Sequence, residues 1–487
     1  MFLVKSVFLA VPARGVMASQ GWFRSAARNC SLLVITLLAG CGGGSEPQSI
    51  TTTTPPTTAQ EPTKPPPTTQ PPSMAPSMQP SGSQPPGSTP PPPGSGSGGP
   101  FNQGKGFNAF VRVIVMAQDG THDLYVGGDF TSYNGKAANH LIRLHQDGSV
   151  ARTFGAGFDQ VVLNLALATD GTNALYAAGP FSQFDGQPVP QLVRLTAGGL
   201  RDPTFQATAL NFLPVTLAVT EDGSRDVYVG GNVDVIFPPP SPTGTAGRLA
   251  RFNPDGSPDP TFPINTTIPP SSADNLGPEV VTVAVPPGSG KLYVSGNFRS
   301  YNGQEVWSFF RLNPDGIIDS TFASGTGVGL IDSGSSAVET LVRAADGSGD
   351  MYAGGRISQY NGTQVPFGSI RVHENGLLDT SYAQAVLLVP MGISPAQDGT
   401  GDIFLTGFSF NVFRLLRLDR TGAPVSTFRK PTLHIERDTP FWLVNIVPVL
   451  DGTRDLYIGG TFTTYNDVTV NHIARIHADG SLASVVD

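Results

Sequence analysis

Short apolar runs alternate with polar turns along the chain from about residue 101 onward. One stretch shows the pattern: Leu124-Tyr-Val-Gly-Gly-Asp-Phe130 leads through a polar loop with Asn134-Gly135 to Leu141-Ile-Arg-Leu144. An Asp-Gly pair precedes the first run, and another follows the last. Short runs rich in β-branched and aromatic residues, bounded by Asp-Gly or Asn-Gly, are typical of β-hairpins. The pattern therefore predicts antiparallel strands rather than long helices.

The Leu-Tyr-Val-Gly-Gly phrase is the most regular part of the pattern, because it recurs along the chain. Its aromatic residue marks seven copies: Tyr125, Tyr176, Tyr228, Tyr293, Tyr352, Phe404 and Tyr457. The copies lie about 51 to 65 residues apart, a period typical of propellers and linear arrays. We call them units one to seven. Each contains four short strand-like runs, which predicts a four-stranded antiparallel sheet.

A single sheet of this kind would leave two edges and two apolar faces open, whereas radial packing buries both faces. We therefore predict an all-β fold, with residues 101–487 forming one seven-bladed β-propeller of four-stranded antiparallel blades. A linear solenoid is the alternative, but it requires polar caps, and here the first and last units are the most alike. Since the last unit lacks a Thr-Phe ending, the segment at Pro100-Phe101 is a candidate for completing its blade.

Two stretches carry a resemblance to a known family. They are Arg251-Phe-Asn-Pro-Asp-Gly256 with Asp259 and Thr261-Phe262, and Arg311-Leu-Asn-Pro-Asp-Gly316 with Asp319 and Thr321-Phe322. They resemble the repeat of the bacterial delta-60 repeat β-propellers and, more distantly, kelch repeats. The resemblance covers residues 101–487. It implies a propeller fold and no settled activity.

The N-terminal region has the features of a secretion signal. Arg24 and Arg28 precede an apolar run from Ser31 to Leu38, which is too short to span a bilayer. It ends in Leu38-Ala39-Gly40-Cys41, which resembles the bacterial lipobox. The resemblance implies a lipoprotein signal peptide over residues 1–40, a lipidated Cys41, and a membrane anchor at the cell envelope, on the outer membrane or cell surface. An ordinary cleaved signal with a chance cysteine is the alternative.

Composition limits the remaining possibilities. After the lipidated Cys41, residues 41–100 are rich in Thr, Pro, Ser and Gly, which predicts a disordered linker. The net charge of -8 argues against a nucleic-acid partner. Both cysteines precede the predicted fold, so no disulfide is expected within it. We expect a monomer without a cofactor.

The loops of an antiparallel meander fall on two faces. The Asp-Gly turns share one, which we call the turn face, and the Asn-Gly loops and the crossovers between units share the other, the loop face. Length varies on the loop face, at residues 233–246, 263–279, 323–338 and 430–441. A rigid scaffold with one variable face is a common way to present a binding site. Length drift without a function is the alternative.

Candidate functional residues on the loop face combine carboxylates with aromatic side chains, as sugar binding or glycoside hydrolysis would use. The candidate catalytic carboxylates are Glu305, Glu436 and Asp438, and the candidate binding residues are Trp307, His434, Glu436 and Trp442. Trp442 equally suits a core position. No serine-hydrolase, Walker or zinc-protease motif is present. The leading hypothesis is therefore a binding or scaffold module for a protein or glycan. A polysaccharide hydrolase or lyase and a purely structural surface protein are the alternatives.

Two further residue sets recur. Paired aspartates flank five turns and could hold Ca²⁺, although turn chemistry also explains them: Asp119 with Asp123, Asp222 with Asp226, Asp346 with Asp350, Asp398 with Asp402, and Asp451 with Asp455. One arginine stands at the same register in every unit: Arg143, Arg194, Arg251, Arg311, Arg371, Arg417 and Arg475. This repetition predicts a structural role, with pairing to Asp202, Asp259, Asp319 and Asp379 in units two to five.

Overall fold

The computed structural model describes residues 105–232, 249–262, 279–323, 325–329, 337–409, 412–435 and 445–483. Throughout these ranges the chain forms strands and turns. None of them contains a helix long and apolar enough to cross a membrane. Cys41, Glu436, Asp438 and Trp442 lie outside the described residues, as do the predicted signal peptide and linker.

The strands follow the repeat. Units one and two contain β1 (Val111–Met116), β2 (Leu124–Gly128), β3 (Ser132–Tyr133), β4 (Lys136–Ala137), β5 (Leu141–Leu144), β6 (Val150–Thr153), β7 (Asn164–Leu167), β8 (Leu175–Ala178), β9 (Gln183–Phe184), β10 (Gln187–Pro188) and β11 (Leu192–Leu195). Units three and four contain β12 (Leu213–Val219), β13 (Val227–Asn232), β14 (Leu249–Phe252), β15 (Glu279–Ala284), β16 (Leu292–Asn297), β17 (Ser300–Tyr301), β18 (Gln304–Glu305) and β19 (Phe309–Leu312). Units five to seven contain β20 (Val328–Gly329), β21 (Ala337–Arg343), β22 (Met351–Arg356), β23 (Gln359–Tyr360), β24 (Thr363–Gln364), β25 (Ser369–Val372), β26 (Val389–Pro395), β27 (Ile403–Ser409), β28 (Val412–Leu418), β29 (Leu433–Ile435), β30 (Asn445–Pro448), β31 (Leu456–Gly459), β32 (Phe462–Tyr465), β33 (Val468–Thr469) and β34 (Ile473–Ile476).

Every unit has the same antiparallel centre. The strand with the Tyr-x-Gly-Gly phrase lies between an inner strand that precedes it and a third strand that follows it. In unit one, Ile114 of β1 pairs with Val126 of β2, and Tyr125 pairs with Arg143 of β5. The inner strands are β1, β7, β12, β15, β21, β26 and β30.

The predicted fourth strand is correct for unit one only. There β6 pairs with β5, whereas in the other units the outer position is a single bridge, such as Phe252 with Pro258. In units two to five an aspartate follows the bridge. Asp259 donates its backbone N–H to Arg251 and accepts hydrogen bonds from Thr261, which turns the chain away from the sheet. Unit one has Ala151 at this position, and its chain continues along β5 after a register shift there.

The Asn-Gly loops form hairpins of their own, and the crossovers pair with them. The hairpins are β3–β4, β9–β10, β17–β18, β23–β24 and β32–β33. The crossover strand β20 pairs with β23, and β29 pairs with β32. In units one and two the same contact is a single bridge, Phe107 with Tyr133 and Phe158 with Phe184. Loops and crossovers therefore share one face, as predicted.

The inner strands pack in chain order, and the last contacts the first. β1 packs beside β7, then β12, β15, β21, β26 and β30 follow in turn, and β30 packs beside β1. At this closure, Asn445 Nδ2 donates to the backbone oxygen of Arg112 at 2.6 Å, and the backbone N–H of Phe107 donates to Asn471 at 3.1 Å. The outer position of unit seven is filled by Leu482, which bridges to Ile476. The described N-terminal residues thus act as a crossover into unit one, and the Pro100-Phe101 segment predicted to complete the last blade lies outside the described residues.

Close packing between units explains the Gly-Gly pair of the repeated phrase. A Cβ on Gly127 would lie 2.8 Å from Val162 Cγ1 of unit two, and a Cβ on Gly128 would lie 2.1 Å from the backbone oxygen of Phe110. In unit six the first glycine is replaced by Thr406, and its partner on the inner strand is Gly392. In unit six the inner strand, rather than the second strand, therefore leaves room for a side chain.

Candidate functional site

The repeated arginines lie inside buried clusters, as their repetition predicts. In unit five, Arg371 Nε donates to Asp350 at 2.8 Å and lies 3.4 Å from Asp379, while Nη2 donates to Asp346 at 2.5 Å. Its guanidinium also lies over the ring of Tyr352. Burial alone would lower the pKa of Arg371, but the tyrosine and the hydrogen-bonded aspartates raise it above its usual range. The four predicted pairs are all present: Arg194 with Asp202, Arg251 with Asp259, Arg311 with Asp319, and Arg371 with Asp379.

The paired aspartates considered for calcium contact these same arginines. The contacts are Arg143 with Asp119 and Asp123, Arg251 with Asp226, Arg371 with Asp346 and Asp350, Arg417 with Asp398 and Asp402, and Arg475 with Asp451 and Asp455. Asp222 accepts hydrogen bonds from Ser224 within its own turn. These contacts favour a structural role of the aspartates in their turns over calcium binding, because an arginine guanidinium already lies against the carboxylates in each cluster.

One trio on the turn face has potential metal-ligand atoms within 4.8 Å of one another: Asp350, His373 and Asp379. The space between its two carboxyl groups is taken by the guanidinium of Arg371. A cation at this point would face that positive charge directly, so the trio is better described as part of the arginine cluster.

An open cleft of about 640 Å³ lies beside this trio, between units four and five. Its polar lining includes Lys291, Arg311, Asp350, His373 and Glu374. Lys291 Nζ donates to Asp319 at 2.6 Å, and Arg311 Nε donates to the same carboxylate at 2.8 Å. Lys291 and Arg311 are therefore both paired with Asp319, which leaves little free positive charge for a ligand.

On the loop face, two predicted residues lie together. Trp307 Nε1 donates to Glu305 at 2.8 Å, and the guanidinium of Arg299 lies 4.9 Å from the centre of the tryptophan ring. Glu305 and Arg299 are exposed, and Trp307 is half-buried. The arginine was not predicted, although its place in the loop before Tyr301 was visible in the sequence. The three side chains form an exposed polar and aromatic cluster, which we call the Trp307 cluster.

His434 lies elsewhere on the same face. It is exposed on β29 and pairs through the backbone with Thr464 of unit seven. Within the described ranges no contact joins it to Glu305 or Trp307, so the structure does not bring the described binding residues Trp307 and His434 into one cluster.

The inner strands contribute a feature that the periodicity did not reveal. In units one, three, four, five and six, the inner strand has a β-bulge at the same register. The bulged residues are Arg112, Val215, Val281, Glu339 and Met391, and each is half-buried. Bulges re-aim side chains and often stand beside functional sites. We call these five residues the bulge positions.

A family model matches five segments of the chain. The family is described as a domain of unknown function (DUF5122) β-propeller, and the matched residues are 123–154, 173–205, 223–262, 288–322 and 455–482. These segments coincide with units one to four and seven.

The chain is a β-propeller repeat protein.

Solved structures also resemble the propeller, at low identity. A xyloglucanase of glycoside hydrolase family 74 from Xanthomonas campestris is 14% identical, with a TM-score of 0.44 over 78% of this chain and 53% of that one. The match therefore spans about half of the xyloglucanase. A periplasmic gluconolactonase from Pseudomonas aeruginosa is 13% identical, with a TM-score of 0.40 over 73% of this chain and 98% of that one. No curated protein matches the sequence.

Proposed function

We propose that the seven units form a closed seven-bladed propeller, and that the protein is a lipid-anchored binding module of the bacterial envelope. Its ligand is a protein or a glycan that docks on the loop face. The proposal rests on the backbone pairing of crossover strands with loop-face hairpins, β20 with β23 and β29 with β32. This pairing gives the loop face a rigid framework for its variable loops. The exposed Trp307 cluster stands on this framework.

Closure in a ring is supported by the contacts of the inner strands, since β30 packs beside β1. A solenoid would leave both end sheets uncovered and would need polar caps. Here the apolar residues of the end units share one core, in which Val449 and Tyr457 of unit seven pack with Val111 and Ile114 of unit one.

A polysaccharide-acting enzyme has less support. Glycoside hydrolysis uses two carboxyl groups that flank the scissile bond. Of the three candidate carboxylates, only Glu305 is described, and it accepts a hydrogen bond from the Trp307 indole. This contact suits a residue that positions an aromatic ring, so we favour binding over hydrolysis.

Glycan binding with a turnover assay tests the function. We expect the protein to retain one class of envelope glycan without releasing reducing ends, and Trp307→Ala to weaken that binding at least about tenfold, since aromatic side chains often dominate such interfaces. Neither of the other two tryptophans can serve as a control, because Trp22 lies in the predicted signal peptide and Trp442 lies outside the described residues. Tyr133→Phe, a change at a buried aromatic residue, is therefore the matched control, and this variant should bind the glycan normally.

If the protein releases reducing ends and Glu305→Gln abolishes this release, the protein is an enzyme and the binding-module proposal is wrong. If the ligand is a protein, our protein should retain no glycan. It should instead crosslink to an envelope protein, and this crosslinking should depend on Trp307. If neither a glycan nor an envelope protein is retained, the function is structural, and the proposal is wrong.

Anchoring is tested separately. We expect Cys41→Ser to move the protein from the membrane fraction to the soluble fraction, because an acylated cysteine supplies the anchor. Globomycin, which blocks lipoprotein signal cleavage, should leave the unprocessed precursor in cells that make the unaltered protein. A variant that stays in the membrane fraction would show that another segment holds the protein there.

A further inference from the structure

Unit four differs from the repeat at all three residues of the Trp307 cluster. Where unit four has Arg299, the other units with a described loop-face hairpin have a short hydroxyl residue: Thr131, Ser182, Ser358 or Thr463. Where it has Trp307, they have Asn139, Pro190, Pro366 or Asn471, and in place of Glu305 they have Ala137, Pro188, Gln364 or Thr469. Among the described hairpins, only that of unit four combines an arginine, a glutamate and a tryptophan at these positions.

In unit one the equivalent residues join the hairpin to the crossovers. Thr131 Oγ1 accepts a hydrogen bond from Asn108 at 2.9 Å, and Asn139 Nδ2 donates to the backbone oxygen of Ala156 at 2.8 Å. By contrast, the guanidinium of Arg299 makes no hydrogen bond or ion pair with any described residue and lies over the indole ring instead. This position therefore serves the fold in unit one and has no such bond in unit four.

The indole ring of Trp307 has a fixed place on the loop face. The backbone oxygen of Trp307 accepts a hydrogen bond from Val328 of β20 at 2.9 Å. A Cβ on Gly329 would lie 3.7 Å from Trp307 Cε3, so the six-membered ring of the indole lies beside the same strand. The guanidinium of Arg299 lies over the ring, 4.9 Å from its centre. A sugar therefore cannot stack on this face of the indole, and a ligand that approaches it meets the guanidinium first.

Arg299 is well suited to bind an anion. Its side chain is exposed, and stacking on an aromatic ring leaves the N–H donors at the edge of the guanidinium free. These donors match the two oxygens of a carboxylate in a bidentate pair. The net charge of -8 opposes a general attraction of polyanions to this protein, so binding of one requires a local site.

Glu305 adds a second requirement for the ligand. One of its oxygens accepts the hydrogen bond from Trp307 Nε1 at 2.8 Å, and no described donor bonds to the other. No salt bridge within 4.0 Å joins Glu305 to Arg299, both of which the structure describes. An ionised carboxylate only accepts hydrogen bonds, so the free oxygen suits a hydroxyl group of a ligand. The cluster therefore offers donors for an anion and an acceptor for a hydroxyl around one indole ring.

We propose that the ligand of the loop face is an acidic polysaccharide, and that Arg299 and Glu305 recognise one of its uronic acid residues. This inference rests on the binding function proposed above and names the ligand class. The carboxylate of the sugar accepts two hydrogen bonds from Arg299, and a hydroxyl of the same sugar donates to Glu305, while Trp307 positions both side chains. An acidic peptide supplies the carboxylate without a neighbouring hydroxyl, and a neutral glycan supplies the hydroxyl without the carboxylate.

Binding of the purified full-length protein, kept in detergent, to immobilised polymers tests the ligand class by biolayer interferometry. The acidic probes are polygalacturonate, alginate and hyaluronate. The comparison probes are the carboxyl-reduced form of whichever acidic polymer binds, which is neutral, and poly-L-glutamate, which has carboxylates but no sugar hydroxyls. We expect at least one acidic polymer to bind, and both comparison probes to bind at least about tenfold more weakly, because each lacks one set of hydrogen bonds.

Two variants and a control test the residues. Arg299→Gln should weaken binding of that polymer at least about tenfold, whereas Arg420→Gln, at an exposed arginine of the turn face, should leave it unchanged. Glu305→Ala should reduce the preference for the polymer over poly-L-glutamate, since only the sugar donates to Glu305. The comparison of the probes on the unaltered protein decides the ligand class even if a variant fails to fold.

The proposal is overturned if none of the three acidic polymers binds, if either comparison probe binds as tightly as the acidic polymer, or if Arg299→Gln binds normally. A neutral glycan or an envelope protein that binds in a Trp307-dependent way would also overturn it, but would leave the binding function standing. Retention of neither a glycan nor an envelope protein would overturn both.

Discussion

Arg371→Met is expected to lower the free energy of unfolding by about 3–5 kcal/mol, the cost typical of breaking a buried ion pair from one side. The guanidinium is the positive partner of Asp346, Asp350 and Asp379, and Asp350 is 4% exposed. Methionine replaces the volume but not the charge, so buried carboxylates are left facing one another. Guanidinium unfolding followed by tryptophan fluorescence and circular dichroism measures the loss.

The matched control is Arg429→Met, at an ion pair of the same chemistry on the surface. Arg429 lies 3.2 Å from Asp479, and its side chain is 72% exposed. Exposed pairs contribute little, so this variant should stay within about 1 kcal/mol of the unaltered protein. Equal losses in the two variants would mean that the clusters add nothing beyond a surface ion pair.

Gly459→Val is expected to destabilise the contact between unit seven and unit one. A Cβ at this position would lie 2.6 Å from Val111 Cγ1 and 2.7 Å from Ile114 Cδ1. Overpacking a tight interior costs about 1–3 kcal/mol, and here the strain falls on the closure. Hydrogen exchange should therefore show faster exchange of the β1 amides, together with a lower melting temperature.

Thr469→Val is the control for this change, because it introduces the same side chain on the exposed strand β33. It should alter neither the exchange of β1 nor the melting temperature. If Gly459→Val also left β1 protected, the two end units would not depend on each other, and a closed ring would be the wrong description.

Local features of the fold were predictable because they repeat. Asp-Gly and Asn-Gly turns placed the hairpins correctly, and seven arginines at one register indicated structural pairing. The length of the fourth strand was not predicted, since the aspartate of units two to five was read only as a partner of arginine. Asp259 turns the chain, whereas Ala151 stands at the same place in unit one, where the strand continues.

The bulge positions could not be predicted from the same pattern. The bulge at Glu339, for example, appears only in the pairing register, where Val338 and Thr340 oppose consecutive glycines. The candidate residues read from loop composition stay a prediction, with Glu305 and Trp307 in contact and His434 in another part of the loop face.

The position of Lys105 has a practical consequence for labelling the protein. Its backbone oxygen accepts a hydrogen bond from Asn471, at the end of a loop-face hairpin segment. The backbone at Lys105 consequently lies on the side where the crossovers and hairpins lie. A label placed at Lys105 would crowd the loop face, whereas a dye on a turn such as Asp222-Gly223, at the opposite end of the strands, would leave that face open.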